Sequence, residues 1–133
     1  HTLTADATLE QAAKELAARK VGALVVLDDS GAILGVLSER DLVHRVVGEG
    51  RDPKTTLVRD VMTCDPITAA PGTSPEAAFE IMIHHRVRQL VLVDAELRPI
   101  GLLSLRAVAE ARMDRAAETI RILQDFTNDA PGG

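Results

Sequence analysis

Leu24-Val25-Val26-Leu27-Asp28, followed by Gly35-Val36-Leu37-Ser38-Glu39-Arg40-Asp41, comes back as Leu90-Val91-Leu92-Val93-Asp94 followed by Gly101-Leu102-Leu103-Ser104-Leu105-Arg106-Ala107. Each landmark has moved by the same 66 residues, as Gly35 to Gly101 shows. Working outward in that register, Thr2 meets Thr68, Glu10 meets Glu76, Ala12 meets Ala78, Val21 meets Val87 and Arg40 meets Arg106, with no gap needed. Apolar pairs such as Leu16 with Met82 and Leu42 with Val108 fill many positions between them. Chance would supply roughly three identities over such a span, so the chain is a tandem duplication.

Both copies give the same order of signals. A short extended piece (Thr2 to Thr4; Ile67 to Ala69) leads into a helix. Thr8 is placed to cap the first one, with Leu9, Ala12, Ala13, Leu16 and Ala17 at helical spacing. Ser74-Pro75-Glu76 starts its counterpart with an N-cap and a proline in the first turn. Two strands follow in each copy, Ala23 to Leu27 with Ile33 to Leu37, and Gln89 to Val93 with Ile100 to Leu103. Their links are short enough for antiparallel hairpins. The first turn, Asp28-Asp29-Ser30-Gly31, has a glycine where the second, Ala95-Glu96-Leu97-Arg98-Pro99, has none. A second helix then starts at Ser38, burying Leu42, Val43, Val46 and Val47, and at Ser104 in the other copy.

Residues 1–50 thus form the first copy, 51–66 a joining segment with a helix-like lead-in at 58–63, 67–113 the second copy, and 114–133 a C-terminal helix and tail. In that last segment Ala116, Ile120, Leu123 and Phe126 make an apolar stripe, which must be buried on its own domain or in a dimer interface. His1-Thr2-Leu3 already lies inside the repeat, so the native chain is expected to begin earlier.

At 133 residues with 46% hydrophobic and 26% charged positions, the chain makes one soluble domain whose copies share a core. Phe79 and Phe126 are its only aromatic residues beyond histidine, so that core is aliphatic and base-stacking platforms are excluded. A net charge of −5 disfavours a phosphate-tracking surface and hence nucleic acid, while leaving room for a local basic pocket. Cys64 is the lone cysteine, which removes intrachain disulfides and points to a reducing compartment. No run is long and apolar enough for a membrane span and no signal peptide opens the chain, so a cytoplasmic location is expected. The adjacent His84 and His85 point differently on a helix and make a poor metal pair. There is no nucleophile triad, P-loop or dinucleotide fingerprint, so no reaction and no catalytic cofactor is expected.

Strand, helix, strand, strand, helix, given twice with Gly-φ-φ-Ser at the strand-to-helix junction and completed to Gly-φ-φ-Ser-x-x-Asp in the first copy, resembles the cystathionine beta-synthase (CBS) domain. The pair resembles the tandem CBS arrangement called a Bateman module. The likeness runs from Thr2 to about Met113 and takes in Val61-Met62-Thr63-Cys64-Asp65-Pro66-Ile67-Thr68, which looks like the family's run into a repeat. It implies an α/β fold of two βαββα halves related by a pseudo-two-fold axis, hairpins facing and helices outside. It also implies homodimers, and a regulatory ligand containing adenosine, AMP or ATP foremost, held between the repeats.

Residue chemistry agrees with that implication. Ser38 and Asp41 lie in the first turn of a helix, where unpaired N–H groups and the dipole attract phosphate. Taken alone they make a capping-box pair. By resemblance, Asp41 accepts hydrogen bonds from the ribose hydroxyls and Ser38 assists. Taken alone, Arg86 and Arg88 read as cations at a solvated helix end. The same resemblance implies that Arg88, flanked by Val87 and Gln89 just before the second hairpin, supplies a phosphate cation from the opposite copy. Gly22 is its chargeless counterpart, and Arg40 is a further cation. Thr2, Val21, Ala23 and Thr68 are placed by position to meet adenine. The second copy keeps Ser104 and Arg106 but has Ala107 in place of the carboxylate, so one competent and one degenerate site are expected. The alternative is a dimeric interaction scaffold whose nucleotide site has decayed.

Overall fold

Helix starts are fixed locally. The Thr8 hydroxyl accepts from the Gln11 backbone N–H at 3.2 Å while the Gln11 side chain accepts from Thr8 N–H at 2.9 Å, a closed capping box. Ser74 caps the equivalent helix through the Ala77 N–H, with Pro75 at the first helical position. Both helices then stop on a left-handed basic residue, Lys20 (φ 54°) and Arg86 (φ 57°), which sit 66 residues apart.

The computed structural model describes residues 2–114. In order they form β1 (Thr2–Thr4), α1 (Leu9–Arg19), β2 (Ala23–Leu27), β3 (Ile33–Ser38), and α2 (Glu39–Asp41) running on as a π-helix over Leu42–Val47. A 3-10 turn (Val58–Asp60), β4 (Thr63–Cys64), β5 (Thr68–Ala69), α3 (Pro75–His85), β6 (Gln89–Val93), β7 (Pro99–Ser104) and α4, residues 105–114, complete the fold. The expected apolar stripe, Ala116, Ile120, Leu123 and Phe126, lies outside the described residues.

Two sheets result, ordered β1-β2-β3-β4 and β5-β6-β7. Each hairpin is antiparallel, with Ala23 opposite Ser38 and Gln89 opposite Ser104, and each first strand pairs in parallel with the next. The duplication extends to an irregularity: register slips at Val26/Leu27 and again at Leu92/Val93, leaving Leu34 and Ile100 without a cross-strand partner.

The β2 run is apolar on both faces because both are covered. Leu37 and Val26 turn toward α1 with Leu9 and Ala12, and Leu90 faces α3 with Ala78 and Met82. The other face, Ala23, Val25 and Val36, packs on Val91 and Val93 of the second sheet. The shared core is therefore a central layer flanked by a private core in each copy. Helices lie outside and the hairpins face each other.

Two expectations are corrected. The joining segment is helix-like only over Val58–Asp60, after which β4 pairs with β3 through Gly35 and Val36 and completes the first sheet. Of the four apolar residues expected to be buried after Ser38, Val46 is buried and Leu42 packs on the core, but Val43 and Val47 are 59% and 78% exposed. The wider π winding, closed by Gly48 N–H to Val43 carbonyl at 2.8 Å, turns them off the inner face.

Candidate functional site

The sequence singles out the turn at Ser38, and its geometry is that of a cap already closed. Ser38 Oγ accepts from Asp41 N–H at 3.2 Å, and Asp41 Oδ2 accepts from Ser38 N–H at 2.9 Å and from the Ser38 hydroxyl at 3.1 Å. The Glu39 N–H is also spent, donating to the Gly22 carbonyl at 2.9 Å. Most of the donors that would attract a phosphate there are engaged. Asp41 Oδ1 faces Arg45 Nε at 3.8 Å, and the Asp41 side chain is only 13% exposed. Arg45 is itself tied to the Val61 carbonyl at 2.8 Å. Arg40 is exposed beside this turn.

Arg88, also exposed, has its carbonyl accepting from the Leu105 N–H at 2.8 Å. This is the duplicate of the Gly22–Glu39 contact, because Gly22 corresponds to Arg88 and Glu39 to Leu105. The chemistry at the two ends is inverted. One pairs a glutamate with a glycine, the other a leucine with an arginine.

A cleft of about 800 Å³ opens between the two copies at the Gly22 end. It brings together six of the expected residues: Thr2, Val21, Gly22, Ala23, Gln89 and Ser104. Ser38, Arg40, Asp41, Thr68, Val87 and Arg88 are not among its walls. Thr68 lines a separate hollow with Ile33 and Leu97 near the turns of the two hairpins. The cleft also gathers residues that the sequence reading did not assign to a site, chiefly Lys20, Glu39 and Ile100, and adds Arg106. A signal for Glu39 was available in the hairpin register, which sets the residue after the cap against the residue before β2. For Lys20 and Ile100 the signal is tertiary: a left-handed helix end and an unpaired bulge residue.

Electrostatically the cleft carries two cations, Lys20 and Arg106, and one carboxylate, Glu39. Arg106 is 89% exposed and donates to Glu110 at 3.1 Å, a surface pair of small worth. Neither Lys20 nor Glu39 has an ion-pair partner among the described residues. The size falls within the usual range for small-molecule sites, about 300–1,000 Å³. A hollow of about 660 Å³ on the outer face of α3, by contrast, is walled by that helix alone and does not join the copies. Among the described residues no cluster of His, Cys, Asp and Glu is arranged to hold a metal ion, and no helix is long and apolar enough to cross a membrane.

The chain is 31% identical over 127 residues to the mitochondrial CBS domain-containing protein CBSX3 of Arabidopsis thaliana, covering 92% of this chain but 61% of that protein. The fold superposes on a CBS-domain protein of Burkholderia ambifaria with a TM-score of 0.78 and 31% identity, covering 86% and 82% of the two chains. It is also similar to CBSX2 in complex with AMP, at a TM-score of 0.68 and 26% identity, over 87% and 89%. The model of the CBS domain matches twice, over residues 1–48 and 58–114, and the chain belongs to the CBS domain family as a tandem pair.

Proposed function

We propose that this CBS pair is a non-catalytic regulatory module that binds an adenosine-containing ligand between its two copies and transmits metabolic state. The candidate ligands are AMP, ADP, ATP, NAD and S-adenosylmethionine, with AMP or ATP first. The observation that carries the reading is the cleft of about 800 Å³ with walls from both copies. A ligand seated there touches both halves. It therefore favours whichever arrangement of the halves gives it more contacts, and shifts anything coupled to that arrangement. The similarity to a protein solved with AMP supports the choice of ligand.

Ser38, Arg40, Asp41, Thr68, Val87 and Arg88 correspond, through the 66-residue repeat, to a second, pseudo-equivalent position in this proposal, where Asp41 Oδ1, facing Arg45, is the oxygen that the cap does not use. Homodimerisation and a cytoplasmic location belong to the same proposal and rest on the family likeness and the single cysteine. The competing reading, a dimeric scaffold with a decayed site, draws on Ala107 and on the commitment of Asp41 to its cap.

Calorimetric titration and melting with AMP, ATP, NADH and S-adenosylmethionine separate the two. Saturation at a hundred times Kd stabilises the folded state by about 2.7 kcal/mol. That is a rise of several degrees in Tm. Absence of heat and of any Tm shift at millimolar ligand overturns the regulatory reading in favour of the scaffold.

A further inference from the structure

The loss of a carboxylate at Ala107 leaves the inter-copy cleft without the acceptor that its own helix would supply, yet a carboxylate is present. Glu39 enters from the other copy. An added Cβ on Gly22 would stand 3.0 Å from Glu39 Oε1, so the Glu39 side chain lies across the bare glycine backbone and reaches the cleft wall there. Its backbone N–H is held by Gly22, which anchors the side chain's root, while its carboxylate accepts no hydrogen bond from any described residue. An ionised carboxylate is acceptor-only, with two oxygens suited to two neighbouring hydroxyls.

The other walls sort into two more functions. Lys20 and Arg106 bring positive charge, one from each copy. Val21, Ala23 and Ile100 bring an apolar surface, and Ile100 is 55% exposed because the hairpin bulge leaves it unpaired and turned outward. Acceptor, cations and apolar wall are the three needs of a nucleoside 5′-phosphate.

We propose that the cleft binds a nucleoside 5′-phosphate with Glu39 accepting the ribose 2′- and 3′-hydroxyls, Lys20 and Arg106 facing the phosphate, and Ile100 against the base. Glu39 thereby replaces the acceptor missing at position 107, by a residue from the opposite copy. This assignment rests on the regulatory reading above. Gly22 is part of the device, since any side chain there crowds the carboxylate.

The test compares AMP, 2′-deoxy-AMP and adenosine by calorimetry on the full chain and on Glu39→Ala, Asp41→Asn and Lys20→Ala/Arg106→Ala. Hydrogen bonds to a charged group make the unaltered chain prefer AMP over 2′-deoxy-AMP by about tenfold or more. Glu39→Ala abolishes that preference, Asp41→Asn keeps it, and the double cation variant loses the preference for AMP over adenosine. Retention of the ribose preference in Glu39→Ala, or its loss in Asp41→Asn, overturns the assignment while leaving nucleotide binding intact. If the unaltered chain binds none of the three, the regulatory reading fails and takes this one with it.

Discussion

Gly35 and Gly101 occupy the same place in the two copies, and substituting each by alanine should give opposite results. A Cβ on Gly35 would stand 2.4 Å from the Thr63 carbonyl oxygen and 3.1 Å from Met62 Sδ, about 1 Å inside the 3.4 Å at which ordinary contact with the carbonyl begins. The nearest atom to a Cβ on Gly101 is Leu92 Cδ1 at 3.5 Å, which is ordinary contact. The obstruction at Gly35 is backbone, so a rotamer change cannot relieve it. It must push β4 off β3, and β4 is held only at Gly35 and Val36.

Overpacking of this kind costs about 1–3 kcal/mol. For a chain of this length that lowers Tm by about 4–12 °C. Gly101→Ala removes the flexibility penalty of a strand glycine and gains about 0.5–1 kcal/mol. Both substitutions restrict the unfolded chain equally, so their difference isolates the close approach of β4. Thermal and urea melts of the two variants measure it. Equal effects, or a larger loss in Gly101→Ala, would refute the reasoning.

Leu97 adopts φ 63° at the turn position where the first copy has Gly31 at φ 86°. Since a left-handed non-glycine residue costs about 1–2 kcal/mol, Leu97→Gly should stabilise the fold by about 0.5–1 kcal/mol after the added chain entropy, and Gly31→Ala should destabilise it. A melt in which Leu97→Gly is the less stable protein counts against this. The same turns carry an acid-sensitive element. The Ser30 hydroxyl foremost, then the Ala32 N–H, holds Asp28 below the ordinary carboxylate value of 3.8, and the Arg98 N–H does the same for Asp94. Because the folded values are lowered, the stabilisation is complete above pH 3.8 and is lost as pH falls through them. Asparagine keeps the accepting oxygen without the titration, so an Asp28→Asn/Asp94→Asn chain should lose less Tm than the unaltered one between about pH 5 and pH 3. Parallel pH profiles would show the contrary.

Local chemistry made much of the fold legible. Caps at Thr8, Ser38 and Ser74, apolar periods and hairpin turns act between residues a few positions apart, so the chain states them directly. Repetition at 66 residues then set the topology, since a second copy of the same signals must build the same unit. The family followed from those same repeated residues.

Tertiary packing decided what lies between the copies. Nothing in Thr63-Cys64 says strand until the bare backbone of Gly35 lets it approach. The apolar run after Ser38 reads as one helical face, but π winding divides it and exposes Val43 and Val47. At the site, Ser38 and Asp41 were the prominent letters because a capping box and a ribose grip use the same residue types. The structure shows the cap closed, while a cleft of about 800 Å³ lies at the Gly22 end. Lys20, Glu39 and Ile100 meet there because a helix end, a cap and a bulge far apart in sequence are brought together when the two sheets pack. The sequence alone determined two equal copies. Their packing decided which of the equivalent positions face one another.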